Sequence, residues 1–395
     1  MRCLWLTLAD PDPPLNGQFL YSGGLIRAFV EAGAAMTVLG LRRPESSHVD
    51  NQLEGGVIWR LAPHQPPPNW KSLGSSLPNM AYRCRTWAMR ALLDGLLCKE
   101  RWDTIVFDSL VTGWALAQVQ EACRRMKGRP TLVYVSHNHE ESLRRGIVSN
   151  RHGVIKRQAH RLDAMKVARL ERALVHEVDL VTAITPEDGE LYRMQSPGKP
   201  VVVLTPGYGG RSIADRCITA ALPRRAVMVG SFDWTAKRLN LEEFLRVADP
   251  IFAKRGIELW VVGNGEASYF EELQKSLTAT RFTGRVDRVE PYVENARLAV
   301  VAEQNGGGFK LKVLDYVFNR VPIVALRGSV AGVPLRDEES ILLYPDQQTL
   351  ALGISQTIDD VTRLDGIQRA AFEACRHAFD WRSRGAELLS AIAAL

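Results

Sequence analysis

Three consecutive glycines, two lysines and a carboxylate lie close together in the stretch RLAVVAEQNGGGFKLKVLDYVFNRVPIVAL, residues 297–326. Glycines let a backbone approach a ligand closely, and the free N–H groups of a helix N-terminus suit a phosphate group. Lys310 and Lys312 add positive charge beside the glycines, and Asp315 is placed to reach the hydroxyls of a ribose. These residue types together suit a nucleoside diphosphate. The alternative is a solvated glycine-rich loop that caps an ordinary helix.

The elements that must position these residues form a βαβ unit. The hydrophobic pattern predicts a buried strand over 298–302, a glycine-rich turn over 305–308, a helix over 309–319 and a second strand over 322–326. The glycines would therefore connect a strand to a helix, where a phosphate can meet the positive end of the helix dipole.

The segment GFKLKVLD, residues 308–315, resembles the donor-nucleotide motif of retaining GT-B glycosyltransferases of the family-four type, Gly-Phe-Gly-Leu-Pro-x-Leu-Glu. The resemblance implies that Asp315 binds the ribose and that the donor also contacts Gly307, Gly308, Phe309, Lys310 and Leu311. Aspartate replaces the family's final glutamate here, and lysine replaces its proline. The first glutamate of the family's pair would fall at Gly307, and Glu303 lies too far upstream to fill that place without a rearranged loop.

Composition limits the class of protein. A chain of 395 residues, 46% of them hydrophobic, is long enough for two α/β domains with separate cores. No apolar run of about 18 residues occurs, and the apolar part of MRCLWLTLADPDPP is only as long as a strand, so we expect a cytoplasmic protein. The six cysteines show no C-x-x-C spacing, which argues against a zinc site or a disulfide framework. We expect neither a metal nor a cofactor.

Positive charge is concentrated in the first half of the chain. Residues 1–216 hold 28 Lys and Arg against 21 Asp and Glu, whereas the remainder holds 22 against 23. The densest run, 141–172, has nine basic and three acidic residues. Such a half suits an anionic membrane surface or a phosphorylated acceptor, with general solubility as the alternative. We expect no nucleic-acid partner.

The first half opens with a strand over 2–8, a loop and an amphipathic helix, which is the start of a Rossmann-like domain. In the resembled family a glycine of this first loop lies under the donor diphosphate, and Gly17 is the candidate. The alternative is an ordinary turn, since Asn-Gly is itself a turn signal.

The stretch 80–98 has apolar residues at helical spacing with arginines between them. It could lie in a lipid headgroup layer, with Trp70 and Trp87 as interfacial anchors. Alternatively it packs on a sheet, because a strand over 104–107 follows directly.

A polar cluster, His137-Asn138-His139-Glu140, follows the predicted strand 131–136. Side chains at the carboxyl end of a parallel strand face the ligand crevice. In the resembled family a histidine at this place contacts the donor sugar, and His137 is the nearest match, with His139 and Glu140 as further candidates. A Glu140 general base would indicate an inverting enzyme. The alternative is a helix N-terminus with incidental polar residues.

Further loops in the second half also resemble the family's donor loops. Lys237 and Arg238 follow the strand 225–229 and would neutralise a diphosphate. The close turns of the family's donor site correspond to Gly263, Gly265 and Gly284.

The fold implied is α/β of GT-B type, with an acceptor-binding domain over 1–210, a nucleotide-sugar domain over 211–378, and a helix over 379–395 that packs back on the first domain. The implied function is metal-independent, retaining transfer of a hexose from a nucleotide sugar, with UDP preferred to GDP as the nucleotide of the donor. The acceptor would be a glycan or a polyprenyl-pyrophosphate-linked sugar, as in bacterial polysaccharide synthesis. Two alternatives remain: a nucleotide-sugar 2-epimerase and a catalytically silent GT-B binding subunit.

Overall fold

A computed structural model describes residues 1–126, 128–148, 154–233, 235–303 and 308–395; the side chains of 145–157 and 234–236 lie outside that description. The chain forms two compact units. The first unit combines Met1–Gly207 with Asp380–Leu395, and the second unit is Tyr208–Phe379. The division thus falls at 207/208 and 379/380, where the sequence predicted 210/211 and 378/379.

An eight-stranded sheet forms the centre of the first unit. Its strands are Arg2–Ala9 (β1), Ala35–Leu41 (β2), Leu53–Glu54 (β3), Val57–Ala62 (β4), Thr104–Asp108 (β5), Thr131–Val135 (β6), Leu180–Ala183 (β7) and Val201–Val203 (β8). Their spatial order is β3-β4-β2-β1-β5-β6-β7-β8, and only the β3–β4 pair is antiparallel. The chain runs outward from β1 in one direction and from β5 in the other. The topological switch point therefore lies between β1 and β5.

Helices connect these strands. They are Gly17–Glu31 (α1), Asn79–Cys84 (α2), Trp87–Lys99 (α3), Leu116–Arg125 (α4), Glu140–Val148 (α5), Val154–Glu177 (α6) and Pro186–Gln195 (α7), with short 3-10 helices at Asn69–Gly74 and Leu110–Ala115.

The single helix predicted over 80–98 is wrong, because the chain forms α2 and α3 there. Thr86 separates them: its backbone is extended, and its hydroxyl accepts a hydrogen bond from the Met89 N–H at 3.1 Å, which starts a new helix. The apolar face of α3 is buried in the core of the first unit, so this helix packs on the protein, which is the second of the two interpretations of this stretch. Trp87, the first residue of α3, is 83% exposed.

The second unit contains a six-stranded, fully parallel sheet. Its strands are Arg225–Val229 (β9), Glu258–Val262 (β10), Thr280–Phe282 (β11), Leu298–Val301 (β12), Ile323–Leu326 (β13) and Leu342–Tyr344 (β14), in the spatial order β11-β10-β9-β12-β13-β14. The chain leaves β9 toward β10 and leaves β12 toward β13. The switch point of this sheet therefore lies between β9 and β12.

The remaining helices are Thr235–Arg255 (α8), Ala267–Gln274 (α9), Glu290–Glu294 (α10), Leu311–Phe318 (α11), Gln347–Thr357 (α12), Val361–Cys375 (α13) and Trp381–Ala393 (α14). The second sheet is covered on both faces, as β12 shows. Leu298 and Val300 pack into one apolar cluster, and Ala299 and Val301 pack into another. A strand buried on both faces reads as an uninterrupted apolar run, which explains the sequence LAVV.

The last helix, α14, packs on α1 within the first unit. Two glycines permit this close approach. A Cβ on Gly385 would lie 2.0 Å from the Ala28 carbonyl oxygen, and one on Gly24 would lie 2.3 Å from the ring of Trp381. The predicted return of the C-terminal helix to the first domain is therefore confirmed.

Candidate functional site

Four charged side chains meet at the carboxyl edge of the second sheet, at its switch point. Lys237 lies in the first turn of α8 after β9, Glu303 follows β12, and Lys310 and Lys312 lie at the start of α11. The Glu303 carboxylate bonds to Nζ of Lys312 and lies 3.7 Å from Nζ of Lys310. The charge of Lys237 acts on the same carboxylate. We call Lys237, Lys310 and Lys312 the lysine cluster.

The charges in this group depend on one another. Burial lowers the pKa of Lys237 and of Lys310, because an ammonium group loses hydration there. Burial would raise the pKa of Glu303, but the three lysines outweigh burial and lower it to about 2. Even with Asp233, whose charge also acts on Lys237, the group stays net positive. The lysine cluster is therefore a candidate site for an anion.

The helix that carries Lys312 begins at Leu311, later than the predicted Phe309. Gly308 has a φ of +75°, in the left-handed region that favours glycine, and Lys310 is extended with φ −96° and ψ 93°. The Phe309 ring packs edge-on against Phe379 at a centroid distance of 5.7 Å. Phe309 therefore has a packing role inside the second unit. Gly307 lies outside the described residues.

Asp315 lies further along α11, in a pocket of about 100 Å³ that is also lined by Tyr208, Val229, Glu290 and Lys312. Burial raises the pKa of Asp315, a hydrogen bond from the Tyr208 hydroxyl opposes this, and the Glu290 carboxylate raises the pKa further. Lys312 thus links the lysine cluster to a pocket with two carboxylates. Since carboxylates accept hydrogen bonds from hydroxyls, this arrangement suits a ligand that carries hydroxyl groups beside phosphates.

The glycines predicted to approach a donor lie at turns on the same edge of the sheet. Gly263 has a φ of +129°, and a Cβ there would lie 1.9 Å from the Gly230 carbonyl oxygen. A Cβ on Gly265 would lie 2.4 Å from the Phe270 ring, and Gly284 has a φ of +67°. Packing and backbone conformation within the protein account for glycine at these positions. Contact of these turns with a donor stays a prediction.

Arg238 has partners other than Glu303. Its Nε donates to the Phe232 carbonyl at 2.9 Å, its Nη2 lies 3.2 Å from Glu266, and its guanidinium stacks 4.5 Å above the Tyr269 ring. These contacts hold Arg238 to the turn after β10. Of the two basic residues predicted in this loop, Lys237 is the one that the structure brings to the lysine cluster.

In the first unit, His137 pairs with a buried carboxylate near the switch point. Its Nε2 lies 2.6 Å from Oδ1 of Asp108, the last residue of β5, and Trp5 donates to Oδ2 at 3.0 Å. Burial would raise the pKa of Asp108, but the charge and hydrogen bond of His137, with hydrogen bonds from Trp5 and Ser22, lower it. The ionised Asp108 therefore orients the imidazole.

The other two polar candidates after β6 have different partners. Nδ1 of His139 lies 2.8 Å from the Ser142 hydroxyl, and its ring packs against Tyr192. Glu140 is the first residue of α5 and lies 3.7 Å from Nε of Arg144, and burial raises its pKa. His137 is therefore the residue of this group that shares the Asp108 pair.

Glu171, on α6, holds the segment that carries these residues. Its carboxylate accepts hydrogen bonds from the N–H groups of Glu140 and Glu141 at 2.9 and 2.8 Å, and from the Tyr192 hydroxyl at 2.7 Å. It therefore caps the N-terminus of α5. Burial raises the pKa of Glu171 to about 7.

Gly17 is the first residue of α1, the helix that follows β1 at the switch point of the first sheet. The side chain of Asn16 caps this helix by accepting a hydrogen bond from the Phe19 N–H at 3.0 Å. A role for Gly17 in binding the donor diphosphate stays a prediction. Across both units, the described residues include no group of three or more His, Cys, Asp or Glu that could hold a metal ion.

Two known sequence families match the chain. Residues 223–360 match the Glycosyl transferases group 1, and residues 16–238 match the Glycosyl transferase 4-like domain, more than half of the chain. The chain belongs to the glycosyltransferase 4-like family. The two matches together include both the Asp108–His137 pair and the lysine cluster of this glycosyltransferase.

Solved structures share the fold of this glycosyltransferase. Sucrose-phosphate synthase from Thermosynechococcus elongatus has a TM-score of 0.70 at 17% identity, covering 99% of this chain and 98% of that chain. Anabaena Alr3699/HepE in complex with UDP-glucose has a TM-score of 0.66 at 14% identity, with 100% of both chains covered. The lipopolysaccharide outer core galactosyltransferase WaaB has a TM-score of 0.59 at 11% identity, covering 100% of this chain and 99% of that chain. The predicted GT-B fold is confirmed. Curated proteins gave no significant sequence match.

Some residues of the glycosyltransferase's candidate site were not predicted from sequence. Asp108 could have been found, because it ends the apolar strand TIVFD at the carboxyl edge of a parallel sheet. Glu290 gives no comparable signal, since it lies in the ordinary sequence EPYVE. The pairing of Glu303 with Lys312 is not apparent from the sequence either, although Glu303 directly follows the strand β12.

Proposed function

We propose that this glycosyltransferase uses a UDP-sugar as its donor and transfers the sugar to a hydroxyl of a glycan or of a lipid-pyrophosphate-linked acceptor. The observation that carries the proposal is the lysine cluster beside the Asp315 pocket, at the switch point of the second sheet. The lysines would bind the diphosphate, and Asp315 would accept hydrogen bonds from the ribose hydroxyls.

Preference for UDP is supported by proteins of the same fold. The Anabaena HepE structure contains UDP-glucose, and the pneumococcal O-GlcNAc transferase GtfA contains UDP and GlcNAc.

The lysine cluster also suggests how the leaving group is stabilised. As the glycosidic bond breaks, negative charge grows on the diphosphate, and fixed ammonium groups in a partly buried site stabilise that charge. Three lysines supply this positive charge, so we propose that transfer needs no metal ion or cofactor.

We propose that configuration is retained, with the leaving phosphate accepting the proton from the acceptor hydroxyl. His137 would then contact the reacting sugar, with Asp108 fixing its orientation. In an inverting enzyme Glu140 would instead act as a general base.

We further propose that the protein binds the inner leaflet of the plasma membrane through the first unit. Exposed apolar side chains lie on three neighbouring elements there: Trp70 and Leu73 on the 3-10 helix 69–74, Met80 on α2, and Leu162 and Met165 on α6. Lys166 joins two of these elements, since its Nζ donates to the Ser72 and Leu73 carbonyls at 2.8 and 3.1 Å. We call these five apolar residues the Trp70 surface.

The charge around the Trp70 surface supports a membrane that contains anionic lipids. Lys71, Arg161 and Arg169 are exposed on the same elements. Exposed apolar side chains with cations beside them suit the boundary between headgroups and acyl chains. Within the described ranges, no helix is both long enough and apolar enough to span a bilayer.

The test is release of nucleotide from a panel of UDP- and GDP-sugars, with and without candidate acceptors, in the presence and absence of a chelator. We expect acceptor-dependent UDP release that the chelator does not reduce. Donor conversion without any acceptor would instead indicate an epimerase. No conversion, with nucleotide binding retained, would indicate a silent binding subunit.

A further inference from the structure

Glu303 pairs with two members of the lysine cluster. Its carboxylate bonds to Nζ of Lys312 in the first turn of α11 and lies 3.7 Å from Nζ of Lys310. The side chains of Lys310, Lys312 and Glu303 are only 8%, 15% and 21% exposed. The two ammonium groups most suited to a diphosphate are therefore already held by an internal anion.

The electrostatics of the second unit explain why an internal anion is needed. Three lysines close together in a partly buried site repel one another, and each loses hydration. Glu303 offsets both costs. With its pKa near 2, the carboxylate is ionised at any neutral pH, so the pairing persists whenever no ligand is present.

We propose that Glu303 is a built-in competitor for the diphosphate site, which the donor displaces and which re-forms its ion pairs when the nucleoside diphosphate leaves. This inference rests on the proposed function, since it assumes that the lysine cluster binds the donor diphosphate. A singly charged anion gains too little from the lysines to displace the carboxylate. A diphosphate carries enough charge and enough oxygens to replace both contacts. Glu303 thus selects for diphosphates and assists product release.

The test compares the wild-type protein with Glu303→Gln, which keeps the size of the side chain and removes its charge. The probes are UDP and inorganic pyrophosphate, with acetate as a singly charged anion, in calorimetric titrations at low ionic strength. We expect Glu303→Gln to bind UDP and pyrophosphate roughly 10- to 100-fold more tightly, the range expected from removing a competing charged hydrogen bond. It should also release UDP more slowly in stopped-flow measurements. Glu303→Asp, which keeps the charge, should stay closer to wild type than Glu303→Gln.

Glu272→Gln is the matched control, because Glu272 is 73% exposed and pairs with Lys275, outside the lysine cluster. It should leave both affinities unchanged. Unchanged or weaker binding by a folded Glu303→Gln protein would overturn the inference and make Glu303 a residue that orients Lys312. If wild type binds UDP and the variant shows no gain, only this inference fails. If neither protein binds UDP or pyrophosphate, the proposed function fails and this inference fails with it.

Discussion

Oδ1 of Asp108 and Nε2 of His137 lie 2.6 Å apart at the carboxyl ends of two neighbouring strands of the first sheet. Because the buried carboxylate has its pKa lowered, it is ionised and holds the imidazole in one orientation. The edge of the Tyr21 ring packs against the same imidazole at 5.1 Å. The histidine is therefore positioned before any substrate arrives.

We expect His137→Ala to lower kcat by about 10²- to 10³-fold, the loss typical when one preorganised polar group at the reacting centre is removed. The dissociation constant of UDP should change little, because the lysine cluster lies in the second unit. Steady-state kinetics with a UDP titration would measure both. His139→Ala is the matched control, since that ring packs on Tyr192. A crippled His139→Ala beside a near-normal His137→Ala would show that the wrong histidine has been assigned.

We expect Asp315→Ala to raise the donor KM by roughly 10- to 150-fold, since a charged hydrogen bond contributes about 1.5–3 kcal/mol. Initial rates over a range of donor concentrations would measure the change. Glu258→Ala is the control, because it removes a carboxylate that pairs with Arg225 in the same unit, and neither residue lines the Asp315 pocket. An unchanged KM for Asp315→Ala would remove Asp315 from the donor site.

Glu171 predicts a specific pH dependence of stability. Its pKa is raised to about 7 in the folded protein, so the folded state binds a proton more tightly than the unfolded chain does. The contribution of Glu171 to the free energy of unfolding is therefore most favourable below the unfolded pKa and decreases as pH rises through about 7. The change amounts to at most about 3.5 kcal/mol.

Urea unfolding of wild type and Glu171→Gln between pH 5 and pH 8 isolates this group, since the amide does not titrate. We expect the free energy of unfolding of wild type to fall relative to that of Glu171→Gln as the pH rises through about 7. Parallel pH profiles would show that Glu171 titrates normally despite its burial.

The Trp70 surface predicts binding to vesicles. Replacing Arg161 and Arg169 with Gln should weaken binding to anionic vesicles by about 1 kcal/mol per charge, and salt should weaken wild-type binding because it screens charges. Arg145, Lys156 and Arg157 belong to the same basic run, but their side chains lie outside the described residues. Co-sedimentation with vesicles at low and high salt would measure the change. Trp70→Ser should weaken binding at both salt concentrations.

Arg124→Gln with Arg125→Gln is the matched control, because both arginines are exposed on α4 and pair with Glu121 in the same unit. If the control reduces vesicle binding as much as the α6 variants do, the Trp70 surface is not the membrane contact. If wild type does not sediment with vesicles, the acceptor is a water-soluble one.

Local patterns predicted most of the fold, because parallel strands buried on both faces read directly from runs such as LAVV and TIVFD. The start of α11 was less predictable. Phe309 suits a helix by its spacing, but Gly308 at positive φ and an extended Lys310 delay the first turn. Periodicity carries no information about such a backbone conformation.

Contacts between side chains on different strands were harder to predict from the sequence. Asp108 and His137 are 29 residues apart, and only the order of strands brings β5 beside β6. Glu303 shows the same limit, because the sequence does not indicate that it pairs with a lysine nine residues further along the chain. Lys312, in the first turn of the next helix, reaches back to the carboxylate of Glu303.

The ends of the second unit are adjacent, since the Tyr208 N–H donates to the Phe379 carbonyl at 2.8 Å. The second unit is thus an unbroken segment inserted into the first unit, which α14 completes by placing Trp381 against Gly24 and Gly207. This arrangement affects the order in which the two units can fold during synthesis. The second unit therefore has its whole sequence available while the first unit still lacks α14, so the unit that lies later in the chain can complete its fold first.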